Sequence, residues 1–515
     1  TMFVFNKDFW LPLCLMFCSS VIIAEPYKTD EKKMNVETTS GKVEGFLQEG
    51  VYQFLGIPYA EPPVGALRFK RSSLAQRIDT VISADNYRAA CSHNIPPYSG
   101  PGLEMSEDCL FLNIFSPGTG RGDRPVLFWI HGGSYLYGSG NDYDGSNLVL
   151  QGDVVVVTIN YRLGLLGFGN FSSLGEEYAG SANNGISDQI TALNWVRENI
   201  AQFGGNPNNV TIFGESAGGG SVLQLLSSPS ANGLYHKAIS HSPSRIVFPS
   251  SNQADKLADA LDIPVEELKK ELSNIPTEEL LRVQEKVGTS AGTFDGKVVA
   301  GKPPTIIKSK GTSNVPLLIG TNKDEGTFFS LFYPREALPQ ITGGIAANVT
   351  SAGDTNSYLD TLKSNGFTSD KELHDKVWVD MFRLAALEAA VASAKTNGSV
   401  WVYRFDMDSD KEVFGQKLGA THAAEIAFTF NDFASNKDHW LYDTARNEVQ
   451  ELATAWSQTI IQFARTGEPN NAGLPFWPKF KSINGHTMIL DEQPRVESAL
   501  DSDDLDNWRE AGVEI

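Results

Sequence analysis

Five short, unbroken apolar runs recur along the chain: PVLFWI (125–130), VVVVTI (154–159), VTIF (210–213), VPLLI (315–319) and VWVYRF (400–405). A strand with one wet face alternates apolar and polar residues, whereas a strand buried on both faces does not. Runs of this length therefore predict strands inside a parallel sheet. Helical stretches lie between them: DQITALNWVRENI (188–200) precedes VTIF, and 218–226 follows it. This alternation predicts an α/β fold, a large and mostly parallel sheet with helices on both faces. Residues 34–70 alternate in strand fashion, with turns at Ser40-Gly41 and Glu49-Gly50. Residues 252–287 are rich in Glu, Lys and Leu and predict a helical insertion, with helices opening after Pro264 and Pro276. A turn is expected at Asp295-Gly296. No repeat, low-complexity tract or long polar linker divides the chain, so 25–515 reads as a single domain.

Charge excludes one class of partner. The chain carries 62 acidic against 42 basic residues, a net charge of −20, and is repelled by phosphate backbones. Nucleic acid is therefore not an expected partner. The run 9–24 (FWLPLCLMFCSSVIIA) is short for a membrane span, is interrupted by Pro12, Ser19 and Ser20, and gives way to EPYKTDEKK. It reads as a signal peptide, residues 1–24, cut near Ala24, rather than a stable membrane anchor. A secreted protein is expected. Cys14 and Cys18 leave with that segment, and Cys91 and Cys109 remain. An even pair in an exported chain favours one disulfide over two buried thiols. Four sequons, at Asn170, Asn209, Asn348 and Asn397, are glycosylation candidates; Asn209 sits against the VTIF strand, where a glycan has little room.

The pentapeptide G-x-S-x-G occurs twice. Its physics is a sharp strand-to-helix turn that leaves a serine hydroxyl exposed at a helix N-terminus. Gly214-Glu-Ser216-Ala-Gly218 follows the VTIF strand and leads into a helix. Gly288-Thr-Ser290-Ala-Gly292 has neither flank, so Ser216 is the candidate nucleophile and Ser290 a loop serine. A serine needs a base, usually a histidine held by a carboxylate, in the order Ser, acid, His for this elbow. His236 and His241 follow Ser216 too closely to leave room for the acid. His422, in LGATHAAEIAF after the VWVYRF strand, is the candidate base. Glu325 and its neighbour Asp324, in GTNKDEG after VPLLI, are rival acids. The segment Trp129-Ile-His131-Gly132-Gly133-Ser134 closes a strand and has the form of an oxyanion loop. Gly133, Ser134 and Ala217 are its candidate N–H donors.

These motifs together resemble the type-B carboxylesterases, the family that includes cholinesterases and some fungal lipases. The resemblance spans about residues 34–490. It rests on FGGNPNNVTIFGESAG (203–218), EDCLFLNIFSP (107–117), FLGIPYAEPPVGALRF (54–69), NYRLGLLGF (160–168), GTNKDEG (320–326) and FARTGEPN (463–470). It implies an α/β-hydrolase fold, a Ser216–Glu325–His422 triad with Glu325 preferred over Asp324, and a Cys91–Cys109 bridge. It implies no cofactor and no metal. Two departures stand out. Ser134 replaces a third glycine and is expected to narrow the oxyanion loop. The segment AISHSPS (238–244) carries His241 and Pro243 where AISQSGS is common, which is expected to reshape the acyl pocket. Residues 92–108 hold no tryptophan for a choline cation and are too short for a lipase lid. Signal run and resemblance together lead to the expectation of a secreted serine esterase acting on small uncharged carboxylic esters. A catalytically silent adhesion protein and a lipase are the alternatives.

Overall fold

The computed structural model describes residues 32–513 apart from 95–103, 311–314, 352, 397, 435–438 and 484. The signal-peptide segment and Asn397 lie outside the described residues. The main sheet is built from Lys33–Thr38 (β1), Gly41–Gln48 (β2), Val51–Pro58 (β3), Phe111–Ser116 (β4), Arg124–Ile130 (β5), Val155–Ile159 (β6), Gly205–Glu215 (β7), Lys237–His241 (β8), Leu317–Asn322 (β9), Val400–Phe405 (β10), His486–Leu490 (β11) and Arg495–Ser498 (β12). Their order is β1-β2-β3-β4-β6-β5-β7-β8-β9-β10-β11-β12, with the short strand Ile82–Ser83 beside β2. From β6 to β11 every pair is parallel; the pairs at both ends are antiparallel.

The unbroken apolar runs follow from burial on both faces. Successive side chains of a strand point to opposite sides. Val126, Phe128 and Ile130 of β5 join one apolar cluster, and Leu127 and Trp129 join the other. Helices Asn184–Asn199 (α1), Ala217–Leu226 (α2) and Asp370–Thr396 (α3) supply the first cluster with Ile186, Leu193, Val222 and Leu384. Helix Asn447–Thr466 (α4) supplies the second with Leu452, Trp456, Ile460 and Phe463. Burying each such side chain contributes roughly 1.5–3 kcal/mol. The expected helical insertion forms three short helices, Ala254–Leu261, Val265–Glu271 and Thr277–Val287, the last two opening after Pro264 and Pro276. They have an apolar cluster of their own around Leu257, Leu268 and Leu280.

Two extents differ from the sequence expectation. The VTIF strand is longer, Gly205–Glu215: Gly205 pairs with Arg124 of β5, and the polar stretch 206–209 spans a break in register before Val210 pairs with Val126. α3 lies outside every helix read from the sequence, because it is buried along most of its length and carries no clear apolar stripe. A C-terminal helix, Ser502–Glu510 (α5), is tied to α3 at its start by a buried bidentate pair, Arg383 with Asp501, at 2.7 and 2.8 Å. Cys91 and Cys109 form a disulfide, with Cα atoms 4.8 Å apart.

Candidate active site

Ser216 joins β7 to α2. It is the residue before the helix and has φ 56° and ψ −118°, a region that L-residues disfavour. Such a residue costs about 1–3 kcal/mol and persists only when its surroundings fix it. Its N–H donates to the His241 carbonyl at the end of β8 (3.0 Å), and its carbonyl accepts from Gly220 (2.8 Å). The glycines of the pentapeptide are required by close approach. A Cβ on Gly218 would lie 2.0 Å from the Ile130 carbonyl oxygen, and one on Gly214 would lie 2.6 Å from it. The end of β5 is thereby held against the turn. The loop that leaves β5 passes the serine: a Cβ on Gly132 would sit 3.2 Å from Ser216 Cβ. Gly133, Ser134 and Tyr135 then follow with φ of 96°, 56° and 59°. Ser134 is exposed.

Glu325 follows β9 and is fully buried at the start of the short helix Gly326–Phe329. Its Oε2 accepts from His422 Nδ1 at 2.6 Å. Its Oε1 accepts from Ser242 Oγ (2.6 Å) and the Asn322 N–H (2.8 Å). The rival Asp324 does not meet His422; it accepts from the Ala420 N–H (3.0 Å) and so fastens the loop that carries the histidine. His422 Nε2 lies 3.1 Å from Oε1 of Glu215, the residue before Ser216, without hydrogen-bond alignment. That nitrogen therefore faces the elbow. Phe382 stacks on the imidazole at 4.6 Å, and Phe329 and Phe328 flank it at 5.0 and 5.9 Å. These three rings give the imidazole an apolar wall.

Several groups around the site went unread in the sequence. Burial, reinforced by the Glu325 charge, pushes the Glu215 carboxyl well above the carboxylate range. Glu425 is pushed up to about 8 by burial first, then by Glu215 and Glu325. Its Oε2 accepts from Asn322 Nδ2 at 2.6 Å. The available clues were slight: a lone Glu ending an apolar run, and a second Glu one turn beyond His422. His241 is not where the sequence suggested. Its ring lies with Tyr403 (Nδ1 to hydroxyl, 2.6 Å) and Trp456, on the α4 face of the sheet and inside the core. Burial depresses it to about 3. Ser290 is buried and bonds to the Ser251 carbonyl and Gln253 Oε1, as expected of a loop serine.

Of the sequon asparagines, Asn170 donates to Ser250 Oγ at 3.3 Å, and Asn209 is engaged by Lys237. Asn348 has a buried, unpartnered Oδ1. No helix among the described residues is long and apolar enough to cross a membrane.

Comparison with known proteins agrees with this fold. Residues 32–508 match the model of the carboxylesterase family. The para-nitrobenzyl esterase of Bacillus subtilis (strain 168) is 35% identical over 91% of this chain and 97% of its own. The cocaine esterase of Homo sapiens is 31% identical over 97% and 95%. A solved thermophilic PNB esterase superposes with a TM-score of 0.82 at 34% identity, over 92% of this chain and 100% of that one. Sequence, sheet order and site lead to one assignment: the chain belongs to the carboxylesterase family and is a carboxylic ester hydrolase of α/β-hydrolase fold.

Proposed function

We propose that the chain is exported and hydrolyses small uncharged carboxylic esters through an acyl-enzyme on Ser216. The observation that carries the mechanism is the chain of contacts at the elbow: Glu325 bonded to His422, and His422 Nε2 turned to the residue beside Ser216. In this reading His422 takes the Ser216 proton as Oγ attacks the ester carbonyl. Glu325 holds the ring and stabilises the imidazolium. The carbonyl electron pair moves to oxygen, where the N–H groups of Gly133, Ser134 and Ala217 receive it. The imidazolium returns the proton to the leaving alcohol. Water then repeats the sequence on the acyl-enzyme.

The apolar ring wall around His422 supports uncharged esters. Relatives named for p-nitrobenzyl esters and cocaine place bulky aromatic esters first in a substrate panel. Export rests on the 9–24 run and on the disulfide, the usual mark of an oxidising compartment. Glycans at Asn170, Asn348 and Asn397 would follow from it. Ser216→Ala is expected to lower kcat on p-nitrophenyl butyrate by about 10⁴-fold or more. A near-wild-type rate would sink the assignment. Higher activity on long-chain emulsions than on soluble esters would identify a lipase instead.

A further inference from the structure

Three consecutive left-handed residues form the loop between β5 and the interior, and only Gly133 suits that conformation. Tyr135, a bulky aromatic at φ 59°, is the sharpest departure. Such backbone is retained only where several contacts over-determine it. Tyr135 has them. Its carbonyl accepts from the Gly164 N–H at 2.8 Å, and the Gly133 carbonyl accepts from Leu136 (2.8 Å) and Tyr137 (3.1 Å). Its buried ring meets Phe168 edge-on at 5.0 Å. Its hydroxyl donates to Gln224 Oε1 at 3.3 Å, beside the hydroxyls of Ser221 and Ser244. Gln224 is held in turn by Asn183 Oδ1 (3.4 Å) and the Thr293 carbonyl (3.0 Å), and Ser221 by Gln189 Nε2 (3.0 Å).

Gln224 and Ser221 lie on α2, the helix that Ser216 caps and Ala217 opens. The helix is shaped for this guest. A Cβ on Gly220 would lie 2.6 Å from the Tyr135 hydroxyl and 2.3 Å from Ser244 Oγ. Glycine inside a helix costs stability, and here it leaves room for both the phenol and Ser244 Oγ. We infer that Tyr135 is a positioning residue of the oxyanion loop: its phenol, seated in the hydroxyl and amide network of α2, fixes the Gly133 and Ser134 N–H groups relative to that of Ala217. This rests on the reading of Ser216 as nucleophile. One rigid helix then carries the nucleophile and one donor and, through Tyr135, orients the other two.

Tyr135→Phe removes the hydroxyl and keeps the ring. It is expected to lower kcat on p-nitrophenyl butyrate about tenfold with KM within about twofold, since small misplacement of a catalytic group carries such penalties. Affinity for a trifluoromethyl ketone, whose carbonyl becomes an oxyanion when Ser216 Oγ adds to its carbon, should weaken by the same factor. Affinity for a ground-state amide analogue should not change. Gln224→Met, which removes the acceptor on α2, should reproduce the pattern, and it carries the test alone if Tyr135→Phe does not fold. Wild-type kcat and ketone affinity in the folded variant would overturn the inference, as would equal losses for ketone and amide. Ser216→Ala separates the two ideas. An inactive Ser216→Ala beside a wild-type Tyr135→Phe defeats only the role of Tyr135. An active Ser216→Ala defeats the acyl-enzyme itself.

Discussion

Glu425 holds its proton at neutral pH because it is buried near two other carboxyl groups, with its titration pushed up to about 8 from 4.5. Below about 4.5 the folded and unfolded chains both bind this proton. Between there and about 8 only the folded chain does, so stability falls as pH rises through that window. Glu425→Gln is expected to flatten that slope, measured by urea unfolding at about pH 5 and about pH 8. Parallel wild-type and variant slopes would refute it. His131 and His241 act in the opposite direction. Burial depresses both to about 3, so their contribution is present above about 6.5 and is lost as pH falls below it. At this scale the sequence displayed Ser216 and His422 because each lies in a motif at a strand's end. Ser242 and Glu215 meet Glu325 and His422 only when neighbouring strands align, and spacing does not record that. The identity of His241 was visibly unusual, yet its facing was not legible. The register of Glu215 against His241 decides which side of the sheet it occupies.

At the scale of elements, α3 does two jobs. It covers the sheet, and it presents Phe382 to His422. The next residue, Arg383, donates to the Tyr403 carbonyl of β10 (3.1 Å) and to both carboxylate oxygens of Asp501. The C-terminal segment thus braces a wall of the site. Asp501→Asn leaves a buried guanidinium poorly compensated and is expected to cost about 3–5 kcal/mol in denaturant unfolding. The double variant Arg383→Met/Asp501→Asn should recover much of that loss. A single variant within about 1 kcal/mol of wild type would show the pair to be dispensable. The central strands were legible as elements because burial on both faces leaves an unbroken apolar run. α3 was not, since a helix buried nearly all round loses the periodic contrast that marks a surface helix.

For the whole molecule, Cys91 and Cys109 close a loop of 17 residues (92–108) beside a short parallel pairing of Ala90–Cys91 with Met105–Ser106. Cross-linking such a loop restricts the unfolded chain by about 3 kcal/mol. Cys91→Ser/Cys109→Ser is expected to lose about that much, read from urea unfolding; an unchanged midpoint would contradict it. The sheet order was beyond the sequence. Consecutive strands β5 and β6 lie in reverse spatial order, and crossover direction leaves no trace in composition.

That order has a kinetic consequence. β7 is hydrogen-bonded on both sides, to β5 and β8, deep inside the sheet. The amides leading into Ser216 are therefore expected to exchange among the slowest, and those of the edge pairs β1–β2 and β11–β12 faster. The strained turn is thus insulated from fraying at the sheet's margins, and Ser216 keeps its geometry until the centre of the sheet itself comes apart.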